Sequence, residues 1–186
     1  MSNEKLILAQ SALKLRDIYV REVNSSVSKK FVPFLEPNED EIRFQTRIGT
    51  QGHMVIKAKA DDKETTNEEV DRFVDYRVLV GARFLDPSVS DEEMENKDLA
   101  ADKIVAEISA LYSVLYEIVS EVDKEAIATF GERNAPFHIW PFWREYLQSS
   151  CGKMHLPMVL LPLFMPPNSG SAIENEGSKE FETKGN

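Results

Sequence analysis

The sequence predicts a single domain in which antiparallel strands are followed by a C-terminal helix. A chain of 186 residues with 42% apolar residues can bury one good core. Apolar and polar residues alternate in several segments, as they do in half-buried strands. We expect the domain to span residues 1–167, because the small, polar residues 168–186 bury too little apolar surface to fold and should form a disordered tail.

The clearest strand signal lies between Phe73 and Leu85. One set of alternate positions includes Asp75, Arg77 and Arg83, which suit a solvated face. The other set is apolar and consists of Val74, Tyr76, Val78, Val80, Ala82 and Phe84. This pattern predicts a half-buried antiparallel strand.

Three weaker segments have the same character. Leu13 to Val23 and Glu41 to Ile48 are rich in β-branched and aromatic residues that alternate with charged ones. His53 to Ala60 is expected to pair with the second of these through a turn at Gly49 to Gly52, because glycines commonly mark hairpin turns.

The segment that begins at Ile104 fits two structures. The apolar positions that alternate as in a strand are Ile108, Ala110, Tyr112, Val114, Tyr116 and Ile118. Those that recur with helical spacing are Ile104, Ile108, Leu111, Leu115, Ile118 and Val122. Spacing alone favours the helix, whereas the β-branched and aromatic content favours the strand, so the residues leave both open.

The predicted helix spans Pro141 to Cys151. Pro141 suits the first helical position, and Gly152 suits the residue just past the end. One stripe of this helix consists of Phe142, Trp143, Tyr146 and Leu147. The apolar run Leu156 to Pro167 contains four prolines and is expected to be extended and covered by other parts of the protein.

Charge excludes several classes of partner. With 32 acidic and 22 basic residues the formal charge is -10, which argues against nucleic acid and anionic membranes as partners. Two acidic stretches, Asp61 to Arg72 and Asp86 to Lys103, are interpreted as solvated connections rather than docking sites. Within them, Thr66 with Glu69 and Ser90 with Glu93 have capping-box spacing. No secretory signal or run long enough to span a bilayer is recognised, so we expect a cytoplasmic protein without membrane insertion.

The sequence offers little for catalysis. It has no glycine-rich phosphate loop, and its three histidines have no spacing typical of a metal site, so no cofactor and no metal are expected. The single cysteine, Cys151, lies beside apolar residues and is interpreted as a packing group rather than a nucleophile. We therefore predict that the protein is not an enzyme.

The stretch Phe137 to Phe164 resembles the C-terminal signature of the SecB family of export chaperones. The signature is an aromatic-Pro-aromatic-x-Arg-Glu helix, a glycine-containing turn and a Leu-Pro-x-Leu apolar run. The matching positions here are Trp140, Pro141, Phe142, Arg144, Glu145, Gly152, Leu156, Pro157 and Leu163. Leu13 to Val23 also resembles the first strand of that family, and the segment from Ile104 resembles one of its long strands, which favours a strand there.

This resemblance implies an α+β protomer with a four-stranded antiparallel sheet and a long C-terminal helix, assembled as a homotetramer from two dimers. It implies an ATP-independent holdase that binds unfolded preproteins and keeps them export-competent for the motor SecA. SecB-like proteins linked to toxin-antitoxin pairs suggest the alternative of a chaperone dedicated to one partner, such as an antitoxin. A sheet protein that only assembles, or an unrecognised enzyme, is the third hypothesis.

The resemblance also implies candidate site residues. Glu22, Val105 and Glu107 stand at positions that contribute to SecA docking in the family. The apolar residues expected to bind a client or to form the subunit interface are Trp140, Phe142, Trp143, Tyr146, Leu147, Leu156, Val159, Leu161, Leu163 and Phe164. Burying one aromatic ring contributes about 2 to 3 kcal/mol, so core or interface packing is itself a sufficient role for most of them.

Overall fold

The structure is a computed structural model that describes residues 2–33, 42–59, 70–94 and 101–162. Most of the first acidic stretch, including Thr66 and Glu69, lies outside the described residues. The same holds for Leu163, Phe164 and the tail expected at 168–186. The boundary of the domain therefore stays a prediction.

The described chain forms an antiparallel sheet with helices packed on one face. In chain order the elements are α1 (Ser2–Ala12), β1 (Leu13–Val27), β2 (Arg43–Lys59), β3 (Val70–Leu85), α2 (Asp91–Met94), β4 (Ile104–Ile118), α3 (Lys124–Arg133) and α4 (Ala135–Met154). The strand order is β1-β4-β3-β2, and all three strand pairs are antiparallel. The predicted α+β fold with four strands and a long C-terminal helix is confirmed.

The two central strands have the alternation that their sequences predict. In β3 every residue of the predicted apolar set, from Val74 to Phe84, is buried, and the segment from Ile104 is the strand β4. Its alternate residues from Ile108 to Ile118 are buried on the same face, against α3 and α4. Burial of two adjacent apolar rows under the helices forms the core.

The expected turn at Gly49 to Gly52 is wrong, because β2 runs through both glycines as one strand of 17 residues. β3 is 16 residues long and offers backbone partners along the whole of β2. The register shifts by one residue between Thr50 and Gly52, which is a β-bulge. A bulge absorbs one extra residue without ending the strand, so the glycines mark an irregularity rather than a hairpin.

The predicted bounds of the C-terminal helix are also wrong. α4 has 20 residues, with Pro136 in its first turn, Pro141 in its interior and the left-handed residue at its end supplied by His155, whose φ is 51°. Gly152 is inside the helix. An interior proline removes a backbone hydrogen bond, at a cost of about 3 kcal/mol. Burial of apolar side chains on both sides of Pro141 offsets that cost and keeps the helix continuous.

The predicted stripe of α4 is correct for three of its four residues. Trp143 and Leu147 are fully buried and Tyr146 is half-buried, but Phe142 is 49% exposed. The buried side of the helix carries Ile139, Trp140, Trp143, Leu147, Ser150 and Cys151. Phe142 therefore lies at the border between the core side and solvent.

The capping box predicted at Ser90 and Glu93 is present at the start of α2. The backbone N–H of Ser90 donates to Glu93 Oε2 at 3.0 Å, and the backbone N–H of Glu93 donates to Ser90 Oγ at 3.3 Å. Hydrogen bonds from the Lys103 ammonium and the Ser90 N–H lower the pKa of Glu93 to about 2. The reciprocal bonds satisfy two backbone donors at the start of the helix.

An aromatic cluster joins the helices to the sheet. The ring of Tyr116 meets that of Phe130 edge to face at 5.0 Å and that of Tyr76 at 5.7 Å. The Tyr76 hydroxyl donates to the carbonyl oxygen of Ile127 at 2.8 Å, and the Tyr116 hydroxyl is hydrogen-bonded to His138 Nδ1. Burial lowers the pKa of His138 below its ordinary value.

This burial predicts a stability that falls in acid. The folded protein favours the neutral His138 ring, so the unfolded chain binds the proton more tightly. The contribution is fully present above about pH 6.5 and is lost as the pH falls through that value. We expect His138→Gln to have a shallower fall in melting temperature between about pH 7.5 and about pH 5.5 than the wild type, measured by circular dichroism. Parallel curves for the two proteins, with His155→Gln as the control, would contradict this assignment.

Candidate functional site

The edge strand β1 leaves apolar side chains uncovered on the face that the helices occupy. Val20, Val23 and Val27 stand opposite buried residues of β4, and directly opposed residues point to the same face of a sheet. Yet Val20 is 44% exposed and Val23 is 50% exposed. The helices therefore cover the centre of this face and stop short of its β1 edge.

The neighbouring flank of α4 is also apolar. The Tyr146 hydroxyl lies 3.4 Å from Ser25 Oγ, which places this side of the helix beside β1. Phe142 lies one turn earlier on the same side of α4, because residues four apart are neighbours on a helix surface. We use the term apolar strip for Val20, Val23, Val27, Phe142 and Tyr146.

The opposite flank of α4 is covered by the chain that follows it. Residues 156–162 form neither helix nor strand, in keeping with their prolines. The Arg144 Nε donates to the carbonyl oxygen of Leu161 at 3.0 Å, and the Trp140 Nε1 donates to that of Pro162 at 2.8 Å. Side chains of this segment alternate: the inward ones are buried, whereas Met158 and Leu160 are exposed. We call residues 156–162 the return segment.

The structure separates the predicted contact residues into two groups. Phe142 and Tyr146 belong to the apolar strip, and Leu163 and Phe164 lie outside the described residues. The others are buried within one protomer: Trp140, Trp143, Leu147, Leu156, Val159 and Leu161. Sequence reasoning missed the valines of β1, since their exposure depends on where the helices end, and only the register with β4 reveals their common face.

Two of the three predicted SecA-docking residues, Glu22 and Glu107, lie on the other, helix-free face of the sheet. Glu22 is exposed and opposite Leu111. Glu107 Oε1 accepts a hydrogen bond from Arg47 Nη2 and one from Arg83 Nε, both at 3.3 Å. Val105 is buried. The structure therefore brings Glu22 and Glu107 to one face and gives Glu107 two arginine partners.

The described residues hold no arrangement for catalysis by metal or thiolate. No group of three histidine, cysteine or carboxylate side chains in the described ranges could hold a metal ion. Cys151 is buried, and burial raises the pKa of its thiol, which keeps the unreactive protonated form. In the same ranges, no helix combines the length and hydropathy needed to cross a bilayer.

Comparison with known proteins identifies the fold. No protein-family model matches the sequence. No curated protein matches it either. Among solved structures, the chain is similar to the Mycobacterium tuberculosis Rv1957 SecB-like chaperone, solved in complex with a ChAD peptide from the Rv1956 HigA1 antitoxin. The TM-score is 0.56 at 15% sequence identity, and the match covers 88% of this chain and 96% of that one.

Proposed function

Starting from the SecB-like fold, we propose that this protein is an ATP-independent chaperone whose apolar strip binds an exposed apolar segment of one partner, such as an antitoxin. The observation that carries the proposal is the uncovered row of valines on β1 beside the exposed ring of Phe142. The similar Rv1957 structure contains an antitoxin peptide, which supports this class of partner. The fold is that of a non-enzymatic chaperone family, so we keep the prediction that the protein is not an enzyme.

The physical character of the apolar strip suits an extended peptide. Contacts with valine and aromatic side chains are non-directional, so an apolar segment can bind by burying its side chains, without a fixed set of side-chain hydrogen bonds. β1 is at the edge of the sheet, where its outer backbone groups have no neighbouring strand among the described residues. That edge is open to pairing with another strand, and the apolar strip beside it can contact the side chains of an extended peptide.

If the apolar strip binds the client, Phe142→Ser should weaken client binding about tenfold. The reason is that the exposed half of the phenylalanine ring is absent from the variant and cannot be buried on binding. Binding is measured by fluorescence anisotropy with a labelled, reduced and alkylated model protein that cannot refold. Phe137→Ser is the matched control, because Phe137 is similarly exposed on α4 but projects from another side of the helix. Equal weakening by both substitutions, or by neither, would remove the basis for this site.

We also propose that the protein assembles into a homotetramer. β1 has 15 residues, of which only Leu13 is buried, and no charged residue stands between Val23 and Val27 to discourage pairing of the edge. Two copies that pair through β1 would close this edge and bring two apolar strips close together. Sedimentation of the purified protein as a monomer at all concentrations would contradict the proposal.

The second candidate function is export of cytoplasmic preproteins through SecA. One observation favours it: Glu22 is exposed on the same helix-free face as Glu107. We expect co-precipitation with SecA that Glu22→Gln reduces and Phe142→Ser leaves unchanged. Absence of any SecA binding would leave the dedicated chaperone as the proposed function.

A further inference from the structure

The edge strand β1 carries two β-bulges, and the extra residue in each is an arginine. The register with β4 has no partner for Arg16 or for Arg21, and it shifts by one residue at each of them. A bulge sets two residues of one strand against one residue of its partner. Each bulge therefore changes whether the odd-numbered or the even-numbered residues of β1 face the helices.

The bulges collect apolar residues from three stretches of β1 onto one face. Leu15 before the first bulge, Val20 between the bulges and Val23 after the second all stand opposite buried, helix-facing residues of β4. In a regular strand successive side chains point to opposite faces, so Val20 and Val23 would lie on different sides of the sheet. The second bulge is therefore what places both valines in the apolar strip.

Burial alone does little to hold this register. Register is strongly specified only where one face of a strand is buried. Of the 15 residues of β1 only Leu13 is buried, and Val20 and Val23 remain about half exposed. A slip of the segment after the second bulge by one residue would therefore lose little apolar burial. Another interaction must hold the bulge in place.

Arg21 supplies such an interaction on the helix-free face. Its Nη2 donates to Asp75 Oδ2 at 2.9 Å and to the Tyr19 hydroxyl at 2.7 Å, and its Nε donates to Ser113 Oγ. The guanidinium also lies over the Tyr19 ring, 5.0 Å from its centroid. Because Ser113 belongs to β4 and Asp75 to β3, the side chain crosses one strand and ties the edge to the next, about 10 Å away.

The direction of this tie selects the register. Ser113 stands opposite a residue two positions earlier in β1, so the Arg21 side chain is drawn toward the start of the strand. Glu22 then takes the position opposite Leu111. If Arg21 took that position instead, every later residue would move by one place. Glu22 would then turn to the apolar strip, and Val23 would turn to the helix-free face.

We propose that Arg21 is a positioning residue of the client-binding site: its tie to Asp75 holds the second bulge and keeps Val23 and Val27 in the apolar strip. This inference rests on the proposed function of the strip. Arg21 lies on the opposite face of the sheet, so it acts through the backbone of β1 and not by contact with a client in the strip. A binding site on an open edge strand is thus fixed from behind.

Cross-linking reads the register directly. Opposite residues of an antiparallel pair have Cα atoms about 4.5 to 5.5 Å apart, a distance that a disulfide can bridge. Val23→Cys with Ala110→Cys should cross-link within one chain, because the two residues are partners. Glu22→Cys with Ala110→Cys should cross-link only after a slip of one residue. We expect the second cross-link to appear when Arg21→Ala is added, with mass spectrometry to distinguish it from bonds to Cys151.

The same slip should weaken client binding. If about a fifth of the molecules keep the native register, the apparent affinity of Arg21→Ala for the reduced and alkylated model protein falls about fivefold. Deletion of Arg21 should restore binding, because Val20 and Glu22 then alternate regularly and the valines stay in the strip without a bulge. Arg77→Ala is the matched control. The Arg77 Nε donates to the same Asp75 oxygen at 3.0 Å but belongs to β3, so its loss should change neither register nor binding.

Three results would overturn the proposal. They are an unchanged cross-linking pattern in Arg21→Ala, an equal change in Arg77→Ala, and binding by the deletion variant as weak as that of Arg21→Ala. Melting curves of each variant confirm that it is folded. The cross-links need no client, so a wild type that binds no client would overturn the proposed function, whereas the cross-links still decide whether Arg21 sets the register.

Discussion

Replacing Trp143 by alanine is expected to lower the free energy of unfolding by about 3 to 5 kcal/mol, which is the usual cost of removing a buried tryptophan side chain. Trp143 is fully buried within one protomer and stacks on Tyr146 at 6.2 Å between ring centroids. Its Nε1 has no hydrogen-bond partner among the described residues, so the loss arises from the cavity rather than from a broken bond. Urea unfolding followed by circular dichroism measures it.

Phe142→Ala is the control, because it removes an aromatic ring from the adjacent position of the same helix. Phe142 is exposed on the flank of α4, so we expect a loss below about 1 kcal/mol. If Trp143→Ala left the free energy of unfolding unchanged and only dissociated the oligomer, Trp143 would be an interface residue and the burial described here would be wrong.

Gly131→Ala should destabilise the protein by about 1 to 3 kcal/mol, whereas Gly152→Ala should stabilise it by about 0.5 to 1 kcal/mol. A Cβ atom on Gly131 would lie within 3.0 Å of two carbons of the Tyr76 ring. That ring cannot move freely, because its hydroxyl is bonded to Ile127 and it packs on Tyr116. Thermal unfolding of both variants measures the two effects.

The opposite signs make this pair informative. Gly152 lies inside α4 with no atom within 4 Å of an added Cβ, and alanine is the better helix former. If Gly152 were instead the left-handed residue just past the helix, alanine would be strained and the substitution would destabilise. A fall in melting temperature for Gly152→Ala would therefore restore the shorter helix that Pro141 and Gly152 suggest in the sequence.

Local pattern predicted the centre of the fold. Every second residue of β3 and β4 faces the helices and is buried. These positions are therefore apolar, and the alternation is visible in the sequence. The glycines of β2 suggested a hairpin turn, and the interior proline of α4 suggested the start of a helix. Both predictions were wrong because tertiary contacts outweighed these local preferences. β3 supplied pairing across the bulge, and buried apolar residues held α4 together across Pro141.

The candidate site was less predictable from sequence. Trp143 and Phe142 are adjacent aromatic residues, and no local signal tells which is buried and which is exposed. The valines of β1 look like core residues, and they remain exposed because the helix layer ends before the edge of the sheet. On the helix-free face the side chains of Arg21 and Ser113 are hydrogen-bonded although they are 92 positions apart in sequence, and strand order alone brings them together.

The return segment has an evolutionary consequence. Trp140 and Arg144 hold it through main-chain carbonyl oxygens, which every amino acid possesses. Its outward residues, among them Met158 and Leu160, can therefore be exchanged without loss of attachment, as long as the inward ones stay apolar. We expect related chains to keep the tryptophan and the arginine one helical turn apart, while the amino acids at the outward positions of the segment vary. Sequence similarity between such chains should therefore be higher in α4 than in the return segment.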